Sequence, residues 1–232
     1  MSAKRIKLLA VDLDGTLVDS APDIAHCLDR ALEAIGLAAP GEERTRLWIG
    51  DGLEVLIARA FAHAVRGSDG TGDPKRRTGA DEHAAALATF LACYRQNLFV
   101  RSRLYPGAIE TLDALRNGGI RLCCITNKRL AFSTELLRLA GADDRFELVL
   151  GGDSLPEKKP SPMPLESAAR TLGVAPSLAV LVGDSHQDLR AARAAGYGFI
   201  WARYGYGKLN EAEAGASPRI EQFAELTNLL SR

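Results

Sequence analysis

Two aspartates one residue apart, Asp12 and Asp14, close the apolar run from Ile6 to Val11, and Gly15 and Thr16 follow at once. Two carboxylates about 4 Å apart repel by roughly 4 kcal/mol at an effective dielectric of about 20. A cation or a shared proton has to offset that repulsion. The residue types and their spacing suit a carboxylate nucleophile at Asp12, an acid/base partner at Asp14 and the start of a magnesium site. An EF-hand calcium loop needs more oxygen residues ahead of its glycine and a glutamate further on, and neither is present. Taken by itself, the stretch also fits a solvated turn, since Asp and Gly favour turns.

Three further polar groups stand in order along the chain: Thr126-Asn127, Lys159, and Asp184 with Asp188. Each has a plain reading of its own. Thr126 or Asn127 can cap the next helix, and Lys158-Lys159 can be a solvated pair. The acids of Gly183 to Asp188 can simply favour a helix N-terminus. Their joint occurrence after apolar strand-like segments is what points to chemistry, because parallel strands bring their carboxyl ends to one edge of a sheet.

The elements that would carry these groups alternate. Ile6–Val11 reads as a buried strand, short and continuously apolar. A helix with Ser20 as cap and Pro22 and Asp23 in its first turn carries the stripe Ile24, Leu28, Ala31, Leu32 and Ile35, and Gly36 stops it. A second helix follows the turn Ile49-Gly50-Asp51-Gly52. The polar run from Gly67 to Ala80 reads as a mobile loop, and a third helix carries Leu87, Phe90, Leu91, Tyr94 and Leu98. After Tyr105-Pro106-Gly107 the pattern becomes βαβ. It predicts strands at Arg121–Ile125, Phe146–Leu150, Leu178–Val182 and Gly198–Ala202. Helices are predicted at Leu130–Leu139, from Ser161-Pro162 to Leu172, at Leu189–Ala195 and at Ile220–Leu230. The expected architecture is a doubly wound, Rossmann-like, mainly parallel α/β sheet over residues 1–17 and 105–232, with an α-helical cap inserted at 18–104.

The motifs Asp12-Leu13-Asp14-Gly15-Thr16, Thr126-Asn127, Lys159-Pro160 and Gly183-Asp184-Ser185 through Asp188 together resemble those of the haloacid dehalogenase superfamily of phosphohydrolases. The resemblance covers nearly the whole chain. It implies phosphoryl transfer through an aspartyl phosphate on Asp12, with Asp14 as acid/base and Thr126, Asn127 and Lys159 on the phosphate. It implies Mg²⁺ held by Asp12, the Asp14 carbonyl and Asp184, with Asp188 supporting the ion from behind. The stretches Asp12 to Pro22, Thr126-Asn127-Lys128 and Gly151 to Pro162 point within that family to 2-phosphoglycolate as substrate. Arg129, where proline is common, and His186-Gln187, in place of Arg-Asn, depart from the pattern and bear on substrate preference. Gly50-Asp51-Gly52 is a candidate substrate-specificity loop whose N–H groups would receive a small carboxylate; a flexible interhelical turn is the rival reading. Other small phosphate esters and a sugar-phosphate mutase stay open, as does, from another class, a phospho-accepting signalling module. A dehalogenase is disfavoured because its first motif lacks an acid at the place of Asp14.

Composition narrows the partners. The 232 residues carry 29 Lys+Arg against 29 Asp+Glu, so no basic field attracts nucleic acid or an anionic membrane. Lys75-Arg76-Arg77 is an isolated triplet. No apolar run reaches the length of a membrane span, and Asp12 and Asp14 come too early for a signal-peptide core. Cys27, Cys93, Cys123 and Cys124 lack metal-ligand spacing, and the last two read as apolar filler in a strand. The expectation is a reduced, cytoplasmic protein, monomer or homodimer, acting on a small phosphorylated metabolite.

Overall fold

The computed structural model describes residues 5–66, 79–207 and 209–230. In chain order, β1 (Leu8–Val11) and the two-residue β2 (Val18–Asp19) precede four helices: α1 (Ala21–Glu33), α2 (Gly41–Arg46), α3 (Leu53–Arg66) and α4 (Ala80–Gln96). There follow β3 (Arg103–Leu104), α5 (Ala108–Asn117), β4 (Arg121–Ile125), α6 (Leu130–Leu139), β5 (Leu148–Leu150) and α7 (Met163–Thr171). The chain ends with β6 (Ala179–Gly183), α8 (His186–Ala195), β7 (Gly198–Ala202), α9 (Glu211–Ala214), β8 (Arg219–Ile220) and α10 (Glu225–Leu230). The residues divide into two compact units, Met1–Asp19 with Arg103–Arg232, and Ser20–Ser102.

The first unit holds a six-stranded sheet in the order β5-β4-β1-β6-β7-β8, parallel at every pairing. The chain winds from β1 outward through β4 and β5, then returns to the other side of β1 with β6. Strand order therefore reverses at β1, and the crevice at such a switch point is where open α/β sheets bind ligands. β1 is Leu-Leu-Ala-Val with every residue fully buried, as expected of a strand covered on both faces. Side chains alternate across the sheet. Leu8, Ala10, Cys123, Ile125, Leu181, Phe199 and Trp201 pack with Leu165 and Ala168 of α7 and Leu189 and Ala192 of α8. α5 packs on β4. The fold is the doubly wound α/β class that the pattern predicts.

A small antiparallel ladder, Val18 to Leu104 and Asp19 to Arg103, was not legible in the sequence. Two residues per strand carry no periodicity. It moves the boundaries between units to 19/20 and 102/103, against the 17/18 and 104/105 predicted. β8 was missed for the same reason, and it shortens the predicted last helix to Glu225–Leu230.

In the second unit, α1 packs against α4 and α2. Asp23 closes this unit on itself. Its fully buried carboxylate accepts the amides of Val100 (3.0 Å), Arg101 (3.0 Å) and Ser102 (2.8 Å) and the Ser102 hydroxyl (2.6 Å). The sequence suggests only a first-turn helix acid there, and this clasp spans 77 to 79 residues. Ser20 occupies the N-cap position of α1 without a side-chain cap bond, contrary to expectation. Of the predicted loop 67–80, residues 67–78 lie outside the described residues, while Gly79 caps α4 and Ala80 begins it.

The four-thiol expectation needs correction. Packing of α1 on α4 sets Cys27 and Cys93 at a Cα–Cα distance of 5.5 Å and joins them as a disulfide, leaving Cys123 and Cys124 free and buried. A separation of 66 residues hides such a pair from any local pattern. No described helix is long and apolar enough to cross a membrane. Alkylation of the unreduced, denatured chain is expected to label two cysteines, and four after reduction. Loop closure over 66 residues corresponds to about 4 kcal/mol of stabilisation of this unit, so thiol reductant should lower its melting temperature. Four reactive thiols at the outset would contradict the link.

Candidate active site

The carboxyl ends of β1, β4 and β6 lie side by side, because Val11 pairs with Cys124 on one side and Val182 on the other. The next residues are Asp12, Thr126 and Asp184. Asp12 is buried, its backbone N–H donating to the Val182 carbonyl at 3.0 Å. Lys159 enters from the long loop before α7, and its Nζ donates to Asp12 Oδ1 (2.6 Å), Asp188 Oδ1 (2.6 Å) and the Ile125 carbonyl (2.7 Å). All three ammonium protons thus end on buried acceptors. Asn127 ties the loops together, its Nδ2 donating to the Lys159 carbonyl at 2.9 Å. The Thr126 hydroxyl, also buried, accepts the Lys128 amide at 3.2 Å.

Asp188 has two tasks at once. It sits in the first turn of α8, in a reciprocal capping box with Ser185: its Oδ2 accepts the Ser185 amide at 3.1 Å and the Ser185 hydroxyl. The plain helix-terminus reading of Asp188 therefore holds alongside its bond to Lys159. Asp184 Oδ2 accepts the amides of Tyr206 (3.0 Å) and Gly207 (2.9 Å). Asp12, Asp184 and Asp188 bring carboxylate oxygens within 4.8 Å of one another, all three residues buried. Asp12 Oδ2 and Asp184 Oδ1 accept no hydrogen bond from the described residues. Hard oxygen donors, clustered and incompletely satisfied, suit a hard divalent cation; the triad is fit to hold a metal ion.

Burial pushes the Asp12 carboxyl up to about 7, against the pull of Lys159 and with a push from Asp188. Burial likewise raises Asp184 well above the usual carboxylate range, reinforced by Asp12 and Asp188. Burial alone would depress Lys159, but the two carboxylates on it outweigh that and raise its ammonium above the ordinary value. Burial also raises the Cys124 thiol, with Asp12 adding to it, so this cysteine stays neutral filler in β4.

Several contacts at this edge escaped the sequence reading. Lys128 Nζ meets both Asp14 oxygens, at 2.9 and 3.0 Å. The loop after β7 wraps Asp184, and Tyr204 Oη donates to the Thr16 carbonyl at 2.7 Å. Alternating glycine and aromatic residues in Tyr204-Gly205-Tyr206-Gly207 signal a close backbone approach. A Cβ at Gly207 would collide with the Asp184 backbone, and one at Gly15 (φ +84°) with the Asp184 carboxylate. Gly50, Asp51 and Gly52 belong to the helical unit, just before α3, and Asp51 pairs with Arg59 at 2.5 Å. His186 pairs with Glu213 at 3.4 Å.

A parallel sheet that gathers acids and one buried lysine at its switch point fits a hydrolase of the haloacid dehalogenase type. The chain belongs to that family: the haloacid dehalogenase-like hydrolase profile matches residues 9–202. Its sequence is similar to phosphoglycolate phosphatases of Nitrosococcus oceani, 41% identical over 99% of this chain and 98% of the relative, and of Nitrosospira multiformis, 40% identical over 98% and 96%. Among solved structures, that of a predicted phosphoglycolate phosphatase from Haemophilus somnus 129pt superposes with a TM-score of 0.90, at 34% identity over 99% of both chains.

The raised acids carry a pH signature. A carboxyl with a folded pKa above its unfolded value keeps a proton that the unfolded chain has lost. For Asp12 that stabilisation is complete below the ordinary value of 3.8 and is lost as pH rises to about 7. In EDTA, thermal stability is therefore expected to fall between about pH 4 and pH 7, and divalent cation should restore most at the high end. Asp12→Asn should flatten the trend; an equal slope in that variant would contradict the assignment.

Proposed function

We propose that the chain hydrolyses a small phosphate monoester, 2-phosphoglycolate before others, by two-step phosphoryl transfer. The observation that carries this reading is the Asp12–Lys159–Asp188 arrangement at the β1 end, with Asp14 two residues on. The names of its relatives support the choice of substrate.

Asp12 attacks phosphorus in line, the bond to the leaving oxygen breaks, and an aspartyl phosphate forms. Asp14 gives its proton to the leaving alkoxide. It then takes a proton from the water that attacks the aspartyl phosphate, releasing phosphate and restoring the Asp12 carboxylate. Lys159, Thr126 and the Asn127 amide bind the transferring oxygens, Lys159 exchanging one protein acceptor for phosphate. Fixed positive charge and N–H dipoles there are worth more than in water, since the site needs no reorganisation as charge develops.

Mg²⁺ is the ion this reading assigns to Asp12, Asp184 and the Asp14 carbonyl, with Asp188 behind; when bound it supplies the charge that lets a carboxylate approach a phosphate dianion. In the same reading residues 20–102 serve as a cap, and Gly50, Asp51 and Gly52 contribute to substrate choice.

The test is phosphate release from a panel of small phosphate esters, in Mg²⁺ and in EDTA. Turnover is expected to be fastest on 2-phosphoglycolate and to vanish in EDTA. Asp12→Asn should lower kcat by roughly 10⁴-fold or more with an unchanged far-ultraviolet spectrum. Near-native turnover in that variant would overturn the nucleophile.

A further inference from the structure

The two lysines at this edge of the sheet differ in the acids they meet. Lys159 spends its three protons on Asp12, Asp188 and the Ile125 carbonyl. Lys128, on the turn after β4, reaches across 114 residues to both oxygens of Asp14. Its side chain is 7% exposed and that of Asp14 11%, so the ammonium is largely stripped of water. A desolvated ammonium attracts an anion more strongly than a solvated one.

Position adds to charge. If Asp14 protonates the leaving oxygen, that oxygen lies about 2.6–3.2 Å from the Asp14 carboxylate. Lys128 Nζ lies 2.9 and 3.0 Å from the two oxygens of that carboxylate. The ester oxygen and the ammonium thus share one carboxylate as neighbour. A substituent one carbon beyond the ester oxygen, two bonds of about 1.5 Å, falls within reach of Nζ. The transferring phosphoryl group lies on the other side of that oxygen, toward Asp12 and Lys159.

We propose that Lys128 determines specificity: it receives an anionic group, a carboxylate above all, carried one carbon from the ester oxygen of the leaving group, while steadying Asp14. This rests on the assignment of Asp14 as the acid in the proposed function. It gives the cation on the leaving-group side of the site a second task beside holding Asp14. It also places the selection of a 2-phosphoglycolate-like substrate in the α/β unit, on a residue of the Thr126-Asn127-Lys128 turn.

The experiment compares two esters of equal length, 2-phosphoglycolate and 2-hydroxyethyl phosphate, in the full chain with Mg²⁺. Lys128→Gln keeps a donor for Asp14 and removes the charge; Lys128→Arg keeps the charge. Both esters should slow in Lys128→Gln, because Asp14 loses its ammonium. The ratio of kcat/KM for the carboxylate ester to that for the neutral one should fall a further tenfold or more, mainly through KM, as expected for a lost charge-assisted hydrogen bond. Lys128→Arg should recover most of the ratio. The ratio is internal to each preparation, so a partly unfolded variant still reports it. A ratio unchanged within about twofold in Lys128→Gln would reduce Lys128 to a support for Asp14 and overturn the inference, while the proposed function would stand. A wild-type chain inactive on every ester would instead remove the proposed function, and this inference with it.

Discussion

A lysine ammonium out of water has to find its acceptors within the protein. Lys159 finds three: two carboxylates and the Ile125 carbonyl, all at 2.6–2.7 Å. Removing one partner of such a buried pair costs about 3–5 kcal/mol, because it strands the other charge. The loop carrying Lys159, the end of β4, the end of β1 and the start of α8 are therefore held to one point by a single side chain. A triad of buried acids would otherwise push itself apart, and the ammonium offsets only part of that. Burial, with the neighbouring carboxylates adding to it, leaves Asp12 and Asp184 weaker acids than usual, and a clustered set of carboxylates that one ammonium does not neutralise is receptive to a divalent cation.

The surroundings are built to let backbone come close. Gly15 and Gly207 leave room where any side chain would strike Asp184, and the Tyr206 and Gly207 amides then hold its Oδ2. The same logic runs through Asp23 in the helical unit, whose carboxylate gathers three consecutive amides. In both places one acid fixes a distant stretch of backbone, which costs little entropy once the surrounding helices and strands are packed.

Local pattern was enough for the elements with a strong period or sharp punctuation. Arg121–Ile125, Leu130–Leu139 and Gly198–Ala202 have the same bounds in the structure as in the pattern. Each is a continuous apolar run or a clear stripe ended by glycine or a turn. Two-residue strands such as β2, β3 and β8 left no trace, since their existence depends on a partner strand. The His186 to Leu189 turn also began its helix earlier than the apolar stripe suggested, because Ser185 and Asp188 cap each other and start α8 at His186.

The sequence by itself determined the doubly wound α/β class, the strand ends where chemistry-bearing residues stand, and their chemical types. These depend on hydrophobic period and on residues adjacent in the chain. Tertiary structure alone decided which cation meets which acid. Lys159 goes to Asp12 and Asp188 and Lys128 to Asp14. It also decided that Cys27 faces Cys93 and that the Tyr206-Gly207 amides clasp Asp184. Such pairings are set by strand order and loop approach in three dimensions, and separations of 22 to 147 residues leave no period in the sequence from which to read them.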